Sequence, residues 1–463
     1  MTVEQKIRER RIGVIGMARS GVASAILAKK AGGKPFASDF APAERLTDSI
    51  KRLESAGIAF ETGGHTDKLL MCDFLIVSPG VRLDLDILKQ ARTQGIPIFS
   101  ELEFAGWFCR GRIIAITGTN GKTTTTALTG ELFKAAGVPC YVCGNIGLAF
   151  TEIVGEIPPN GVAVVEVSSF QLEAIADFRP HAAIILNFTP DHIDRHGSFD
   201  AYKKAKCRIT ENQTPEDYFI LNREDPESVS LSISTQAQRL WFSIQDDGTA
   251  NTFVRKGSLW TRFQGIERQV IPCNQIGILG PHNLQNAAAA VALGTVLGLA
   301  AEPMAGALRK FPGVEHRLEK VGTVAGITFI NDSKATNVDS VCVALRSMTA
   351  PTYLILGGRD KGAPYAPIIE AGRKAIKGLL VIGESRDKIF RELGQSFPTQ
   401  FAETLEEAVA KGFELAHPGE TVLLSPGCAS FDMFDNFEHR GRVFKQAVAG
   451  LKNGKANGET VIK

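Results

Sequence analysis

Residues 113–133 read IIAITGTNGKTTTTALTGELF, which predicts a buried strand, a turn with two glycines and then a helix. A phosphate-binding loop needs exposed backbone N–H groups at a helix N-terminus, together with a lysine and a hydroxyl group. This stretch provides those parts in order, at Gly118, Gly121, Lys122, Thr123 and Thr124. Ile116 occupies the position of the first glycine in the usual signature, so the pattern predicts a shorter phosphate loop. An ordinary glycine turn is the alternative.

The composition limits the classes of protein to which the chain can belong. Its 463 residues exceed what one hydrophobic core serves, so we expect two to three domains of roughly 100 to 200 residues. The 52 basic and 50 acidic residues give a net charge of +2, so neither nucleic acid nor a membrane surface is an expected partner. The polar start and the lack of an apolar run of about 20 residues predict a cytoplasmic protein without membrane insertion. Cys140 and Cys143 lack a second pair for zinc, so we expect buried thiols, with a redox role as the alternative.

Apolar strands alternate with helical patterns along almost the whole chain, which is typical of α/β proteins with parallel sheets. Glycine and proline interrupt this alternation at FCRGR and KFPGVEHR. The resulting prediction is three domains, at residues 1–108, 109–312 and 313–463. A turn-rich interval at about 225–275 predicts additional β structure in the second of them.

The first segment opens with GMARSG, in which Gly16 and Gly21 lie at the first strand-to-helix turn, as in a dinucleotide site. Ala18 replaces the middle glycine of that fingerprint, so the motif alone leaves a nucleotide-like ligand and a structural turn both open. Further polar or small residues follow strands at the same predicted sheet edge: Asp39, Ser78 and Gly80.

The second segment carries residues suited to a metal ion. Glu166 ends an apolar strand, where an isolated carboxylate would lose hydration unless it served as a ligand, for example of magnesium. A short loop after the next strand gathers further candidates, Asp191, His192, Asp194 and His196. The following helix contains Lys203, Lys204 and Lys206. A turn cap, a surface histidine and a solvated lysine face are the alternatives for most of these residues, but His192 emerges beside the predicted phosphate site.

Polar loops in the third segment follow several predicted strands. Their candidate residues are Arg317, Asp332, Lys334, Thr336, Lys361, Ser430 and Phe437. Each could belong to an ordinary loop when taken singly. Together they favour a ligand site, because open α/β sheets bind ligands at the carboxyl ends of their strands.

Eleven motifs in order carry a resemblance: GMARSG, SELEF, TGTNGKTTT, GNIG, EVSSFQLE, DHIDRH, HNLQN, HRLE, INDSKATN, LGGRDK and SPGCASFDMFDNFEHRG. Over nearly its whole length the chain resembles the Mur ligase family, the ATP-dependent enzymes that extend the cell-wall precursor peptide. The short G-T-N-G-K-T loop of that family needs no glycine at Ile116. The resemblance implies a Rossmann-like N-terminal domain, a central P-loop ATPase-like domain with a mostly parallel sheet, and a Rossmann-like C-terminal domain.

The resemblance also implies an activity. The expected enzyme is an amide ligase of peptidoglycan precursor synthesis that adds D-glutamate to UDP-N-acetylmuramoyl-L-alanine through an acyl phosphate, releasing ADP and phosphate. The implied cofactors are ATP and two Mg²⁺ ions, and the implied assembly is a monomer.

Residue roles carry over from the family motifs. The residues implied for ATP are Gly118, Thr119, Asn120, Gly121, Lys122, Thr123, Thr124, Asn283, Asn286, Arg317, Asp332 and Lys334. Those implied for magnesium are Thr123, Glu166, His192 and Lys206, with Lys206 carbamylated. Catalytic roles are implied for Lys122, His192 and Lys206.

The remaining roles concern the two other substrates. The residues implied for the UDP precursor are Gly16, Ser20, Asp39, Ser78, Gly80, Asn145 and His192. Those implied for D-glutamate are Thr336, Lys361, Ser430, Phe431 and Phe437. Phe431 departs from the smaller aliphatic residue of several relatives, and the pattern gives Arg359 no role.

Other readings remain open. A sister ligase adding L-alanine, a diamino acid or a dipeptide, or a folylpolyglutamate synthase, would share the central domain but not INDSKATN with SPGCASFD. A P-loop regulatory switch or transport ATPase would hydrolyse nucleotide without an amine acceptor. A dinucleotide oxidoreductase would rest on GMARSG alone, and Ala18 argues against it.

Overall fold

The computed structural model describes residues 3–145, 147–278, 280–360 and 362–456. The chain divides into one compact unit that runs to Ile278 and resumes at His282–Phe311, and a second unit from Pro312 onward. The strands form three sheets, of five, nine and six strands, and most neighbouring strands are parallel. The predicted α/β class is therefore confirmed.

The first sheet has the order β3-β2-β1-β4-β5, and all of its strands are parallel. Its strands are β1 (Arg11–Ile15), β2 (Lys34–Ser38), β3 (Ala59–Glu61), β4 (Phe74–Val77) and β5 (Ile98–Ser100). The accompanying helices are α1 (Val3–Ile7), α2 (Arg19–Lys30), α3 (Thr47–Ser55), α4 (Asp86–Thr93) and α5 (Glu101–Phe108).

The second sheet has the order β14-β13-β12-β11-β10-β9-β6-β8-β7. Its strands are β6 (Arg112–Thr117), β7 (Cys140–Gly144), β8 (Val162–Glu166), β9 (Ala182–Ile185), β10 (Tyr218–Asn222), β11 (Gln238–Phe242), β12 (Thr252–Arg255), β13 (Ser258–Phe263) and β14 (Ile266–Pro272). Its helices are α6 (Lys122–Ala135), α7 (Phe150–Ile153), α8 (Ser169–Leu172), α9 (Ile193–His196), α10 (Phe199–Cys207), α11 (Pro226–Val229), α12 (Pro281–Val296) and α13 (Ala301–Lys310). The antiparallel strands β12 to β14 confirm the predicted β-rich interval.

The third sheet has the order β15-β16-β20-β17-β18-β19, and only its β15–β16 pair is antiparallel. Its strands are β15 (Glu319–Val324), β16 (Ile327–Asn331), β17 (Thr352–Gly357), β18 (Ile376–Ile382), β19 (Thr399–Phe401) and β20 (Thr421–Leu424). Its helices are α14 (Val338–Arg346), α15 (Pro367–Gly372), α16 (Arg386–Leu393), α17 (Leu405–Leu415) and α18 (Phe437–Ala456). The exact domain boundaries at 108 and 312 stay predictions.

The central strands are buried along their length, because helices cover parallel sheets on both faces. Strand β6 shows this, since its residues 113–117 are all buried. The polar residues needed for chemistry are therefore confined to the strand ends. All eight cysteines are free; Cys143 is buried as expected, whereas Cys140 is half-buried. Within the part of the chain that the structure describes, no helix combines the length and apolar character needed to span a membrane.

A buried carboxylate joins the first sheet's last helix to the second sheet's segment. Glu103, in α5, is fully buried and accepts hydrogen bonds from three consecutive backbone N–H groups, those of Ala176, Asp177 and Phe178, at 2.8–2.9 Å. Trp107 Nε1 donates to the same carboxylate at 2.7 Å. A carboxylate suits this place because it accepts several N–H groups at once, and the Phe178 N–H would otherwise be buried without a partner.

We expect Glu103→Ala to lower the free energy of unfolding by roughly 1–3 kcal/mol, the cost of leaving the buried Phe178 N–H without an acceptor. Urea unfolding of the full chain measures this loss. The matched control is Glu131→Ala on the exposed side of α6, expected to change the free energy by less than about 0.5 kcal/mol. Equal effects of the two substitutions would contradict the role assigned to Glu103.

Candidate active site

The phosphate-loop stretch folds as predicted, with glycine at both positions that require it. Gly118 has φ 149° and Gly121 has φ 85°, backbone conformations that side chains rarely adopt. A Cβ atom at Gly118 would also lie 2.9 Å from the Leu186 Cβ atom, and one at Gly121 would clash with the Asn286 side chain. The loop thus passes close to two neighbouring segments before α6 begins at Lys122.

Asn187, which sequence reasoning did not select, fixes the middle of this loop. Its Oδ1 accepts from the Asn120 N–H at 2.8 Å, and its Nδ2 donates to the Asn120 carbonyl at 3.1 Å. Its own carbonyl accepts from the Thr119 N–H at 3.1 Å. The only available signal was its position directly after a predicted strand, which it shares with many loop residues.

Asparagines at the start of α12 contact the first turn of α6. Asn286 is buried, its Oδ1 accepts from the Thr125 hydroxyl at 3.2 Å, and its Nδ2 donates to Asn283 Oδ1 at 3.1 Å. The predicted ATP residues Asn283 and Asn286 thus lie beside the phosphate loop.

The lysine and threonines of the loop are also in place. Lys122 Nζ donates to the carbonyls of Gly118 and Thr119, both at 2.8 Å, so its ammonium lies over the loop. Thr123 and Thr124 are buried in the first turn of α6. A cation and hydroxyls at a helix N-terminus form an anion-binding arrangement.

Glu166 is the residue that most favours a metal. It ends β8, only 2% of it is exposed, and its Oε1 accepts from Asn145 Nδ2 at 2.9 Å. Its other oxygen, Oε2, is buried without a hydrogen-bond partner among the described residues. Buried carboxylate oxygens rarely lack a hydrogen-bond partner, and Mg²⁺ prefers carboxylate oxygens as ligands. These residues therefore fit a divalent cation.

Lys206 lies at the same sheet edge, and only 1% of it is exposed. Its Nζ donates to the Gly118 carbonyl at 2.9 Å and to the Thr117 hydroxyl at 3.4 Å, and it lies 4.6 Å from the Tyr202 ring centre. Burial lowers the pKa of Lys206 well below its usual value, and the charge of Lys122 lowers it further. The solvated-face alternative for Lys206 is therefore wrong.

His192 remains accessible, with 50% of its side chain exposed. It has φ 52° at the start of α9, its N–H donates to Asp191 Oδ1 at 2.9 Å, and its ring meets the Phe170 ring edge-on at 4.8 Å. The side chain of Asp194 lies outside the described residues. His196 differs from the surface alternative, since its ring stacks on Phe170 and its Nε2 lies 3.0 Å from Ser169 Oγ.

A cavity of about 580 Å³ lies in the first unit, at the carboxyl ends of the first sheet's strands. It is lined by all the predicted precursor residues except His192, namely Gly16, Ser20, Asp39, Ser78, Gly80 and Asn145. Ala18 lines it as well, so the missing middle glycine does not close the site. Asn145 therefore borders the cavity and also binds Glu166.

Two of these residues hold the glycine turn. The Asp39 carboxylate accepts from the N–H groups of Met17 and Ala41 at 2.5 and 2.8 Å. Ser78 Oγ donates to the Gly16 carbonyl at 3.0 Å. Arg195, which sequence reasoning did not select, stacks 3.8 Å from the Phe170 ring centre and donates to the carbonyls of Pro79 and Val81 in the cavity wall. It links that wall to the loop of His192.

In the second unit, Asp332 follows β16 and is buried. It accepts from Ser425 Oγ at 2.8 Å and from the Leu318 N–H at 3.2 Å. Burial raises the pKa of Asp332 to about 7, although the Ser425 hydrogen bond and the charge of Arg317 oppose this shift. Arg317 thus lies within electrostatic reach of Asp332.

Arg440 organises the loops around these residues; it lies in the first turn of α18, within the motif SPGCASFDMFDNFEHRG, but sequence reasoning did not select it. Only 1% of it is exposed; its guanidinium donates to the Ser333 hydroxyl and carbonyl at 3.0 and 2.8 Å and to the Cys428 carbonyl at 3.1 Å. Lys334 Nζ lies 5.6 Å from the Phe437 ring centre. The predicted residues Lys334 and Phe437 are therefore neighbours.

The remaining predicted residues of the second unit differ in exposure. Ser430 is buried, Thr336 is half-buried, and 61% of Phe431 is exposed. Lys361 lies outside the described residues. Arg359 forms an exposed ion pair with Glu384 at 3.3 Å, which accounts for its charge without a ligand.

Three family models match the chain. They are a MurD N-terminal domain at residues 11–87, a Mur ligase middle domain at 116–294 and a Mur ligase glutamate ligase domain at 316–428. A UDP-N-acetylmuramoylalanine–D-glutamate ligase of Koribacter versatilis is 43% identical over 96% of this chain and 98% of its own length. The protein of that name from Alkaliphilus metalliredigens is 41% identical over 96% and 99%.

Solved structures with the same fold are more distant in sequence. The alanine ligase MurC of Thermotoga maritima has a TM-score of 0.58 and 21% identity, covering 96% of this chain and 100% of its own. MurF of Acinetobacter baumannii has a TM-score of 0.59 and 19% identity, covering 88% of each chain. At these identities the likeness establishes the three-domain fold alone.

We expect the stability contributed by Asp332 to fall as pH rises. Its folded pKa of about 7 exceeds the unfolded value of 3.8, so the folded state binds the extra proton. The contribution of Asp332 to the free energy of unfolding is complete below about pH 4. It is lost as the pH rises from there through 7, by at most about 1.4 kcal/mol per pH unit. Urea unfolding of the chain and of Asp332→Asn from pH 5 to 8 measures the difference. Parallel curves for the two proteins would contradict the assignment.

Proposed function

The chain belongs to the Mur ligase family, and we propose on that premise that it joins D-glutamate to UDP-N-acetylmuramoyl-L-alanine at the expense of ATP. It is a ligase of peptidoglycan precursor synthesis. The observation that carries the proposal is the contact between Asn145, which lines the precursor cavity, and Glu166, the buried carboxylate beside the phosphate loop. That contact connects the cavity to the phosphate-transfer site within one unit.

Forming an amide from a carboxylate and an amine in water requires a leaving group. We infer that the alanyl carboxylate attacks the γ-phosphorus of ATP, which releases ADP and gives an acyl phosphate. The amine of D-glutamate then attacks the acyl carbon, and the tetrahedral intermediate expels phosphate. Such transfers depend on positioning and on neutralising charge at the phosphate oxygens.

The first unit would supply most of the phosphate-binding groups. We infer that the N-terminus of α6 and the Lys122 ammonium stabilise the negative charge that develops on the transferring phosphate. Neighbouring segments hold the loop from Gly118 to Gly121, so its backbone N–H groups would bind phosphate oxygens without rearrangement. Asn145 Nδ2 donates to Glu166, and we propose that its second N–H orients the alanyl carboxylate.

Magnesium, when bound, would neutralise charge on the phosphate oxygens. Glu166, through its unpartnered Oε2, is the first residue proposed to hold it, with the hydroxyl of Thr123. His192 and a carbamylated Lys206 are proposed for the second ion. The accessible His192 ring fits a ligand role, since neutral imidazole binds metals.

The environment of Lys206 supports the carbamate. Its amine must be neutral to attack carbon dioxide, and burial favours the neutral form. The neutral amine joins its nitrogen to the carbon of CO₂ and releases one proton, which gives an anionic carbamate; counted from the ammonium cation, two protons are released. An anionic group at this place would also relieve the repulsion between Lys206 and Lys122.

For the second unit, we propose that Arg317, Asp332 and Lys334 contact ATP. D-glutamate is assigned to the remaining predicted residues, Thr336, Lys361, Ser430, Phe431 and Phe437. The cytoplasmic location and the monomeric state stay predictions.

The activity is tested by phosphate release from ATP and Mg²⁺ in the presence of UDP-N-acetylmuramoyl-L-alanine and single amino acids, including both glutamate enantiomers. We expect release only with D-glutamate, together with a product heavier by one glutamyl residue in mass spectrometry. Release with another amino acid would correct the substrate. Hydrolysis without any acceptor would instead favour the regulatory-switch or transport-ATPase alternative.

We expect Lys206→Ala to lower kcat by roughly 100-fold or more while ATP still binds, because one charged group at the transferring phosphate would be lost. The matched control is Lys204→Ala, an exposed lysine of the same helix, with unchanged kcat. NMR of the protein in ¹³C-bicarbonate should show a carbamate signal that Lys206→Ala lacks. Full turnover by Lys206→Ala would refute the carbamate role.

A further inference from the structure

A second cavity, of about 400 Å³, lies in the first unit and shares no residue with the site described above. Arg112 begins β6 and Tyr218 begins β10, and both line this cavity. The phosphate loop follows the opposite end of β6. The cavity therefore lies at the amino ends of the parallel strands, on the edge of the sheet away from the phosphate loop.

Positive charge dominates the lining. Arg112 and Arg268 both line the cavity and are exposed, and neither guanidinium makes a hydrogen bond or ion pair within the described residues. No aspartate or glutamate is among the lining residues that the structure describes. A guanidinium presents a planar fork of N–H donors that matches the oxygens of a carboxylate or phosphate, so two guanidiniums at one cavity without a competing carboxylate are suited to bind an anion.

The strand pairing explains why Arg268 stays unpaired. Successive side chains of a strand point to opposite faces, so Arg268 shares a face with Thr261, its partner across the β13–β14 pair. The adjacent pair, Arg262 and Glu267, occupies the other face, where their ion pair measures 2.7 Å. The nearest carboxylate in the hairpin is thus held away from the cavity.

The rest of the lining provides an apolar wall and a hydroxyl. The rings of Tyr218 and Phe263 meet edge-on with their centres 5.8 Å apart. Leu299, just before α13, and Met304, within α13, also line the cavity. Thr295 Oγ1 is buried and has no hydrogen-bond partner among the described residues. A buried hydroxyl without a partner is uncommon, and a ligand atom would satisfy it.

We propose that this cavity binds a small organic anion. Its phosphate or carboxylate group would bind Arg112 and Arg268, and its apolar or aromatic body would contact Phe263, Leu299 and Met304. The site is separate from catalysis, so its existence does not depend on the proposed reaction.

Ligand-observed NMR with phenyl phosphate, benzoate, phenol and inorganic phosphate tests the site. The full chain is held with Mg²⁺ and a saturating non-hydrolysable ATP analogue, so that the phosphate loop is occupied. We expect phenyl phosphate or benzoate to bind more tightly than phenol, and the tighter of the two identifies the anion. Absence of binding by both aromatic anions would overturn the proposal.

Substitutions locate the binding. Arg112→Ala and Arg268→Ala should each weaken the binding by roughly tenfold, the loss typical of one hydrogen bond to a charged group. Arg262→Ala, on the opposite face of the same hairpin, is the matched control and should leave affinity within roughly twofold. Equal affinity in all three variants, or loss of binding in Lys122→Ala, would show that the anion binds elsewhere. Melting temperatures check that each variant is folded.

Discussion

The site depends on charges that are buried at one edge of the second sheet. Lys206 and Glu166 are almost fully excluded from water, and the charge of Lys122 acts on Lys206. A protein tolerates such groups only where partners or ligands compensate for lost hydration. The unpartnered Glu166 oxygen and the depressed pKa of Lys206 show that the protein atoms alone leave this compensation incomplete. This edge of the sheet is therefore suited to bind a charged ligand.

The strand order brings those groups together. Strand β6 lies between β9 and β8, so the phosphate loop is flanked by the segment that carries Asn187 and by the strand that ends in Glu166. Parallel pairing places the carboxyl end of each strand at the same edge. Residues far apart in sequence therefore meet because of topology, and the helix α12 adds Asn286 from a still more distant segment.

Sequence patterns were sufficient for the α/β class, for most strands and for the position of motif residues such as Gly118 and Lys122 in the turn between β6 and α6. They were insufficient where a residue acts through long-range contacts. Asn187, Glu103 and Arg440 bind backbone groups of other segments. Glu103 and Arg440 lie in the motifs SELEF and SPGCASFDMFDNFEHRG, but neither motif indicates which distant backbone groups they contact. Lys206 is an intermediate case: the family motif marked it, whereas its helix alone suggested a solvated face.

The hydrogen bonds of the Glu103 carboxylate limit how the N-terminal segment can be replaced by that of another ligase. Glu103 lies near the end of a segment that also carries most of the lining of the 580 Å³ cavity. The three N–H groups whose hydrogen bonds it accepts belong instead to the loop before β9. A chimaera that takes its first 108 residues from another ligase must therefore import an acceptor at this place along with a new specificity. Without such an acceptor, the backbone N–H groups of residues 176–178 would lose their hydrogen-bond partner in the chimaera, even if both sheets folded correctly.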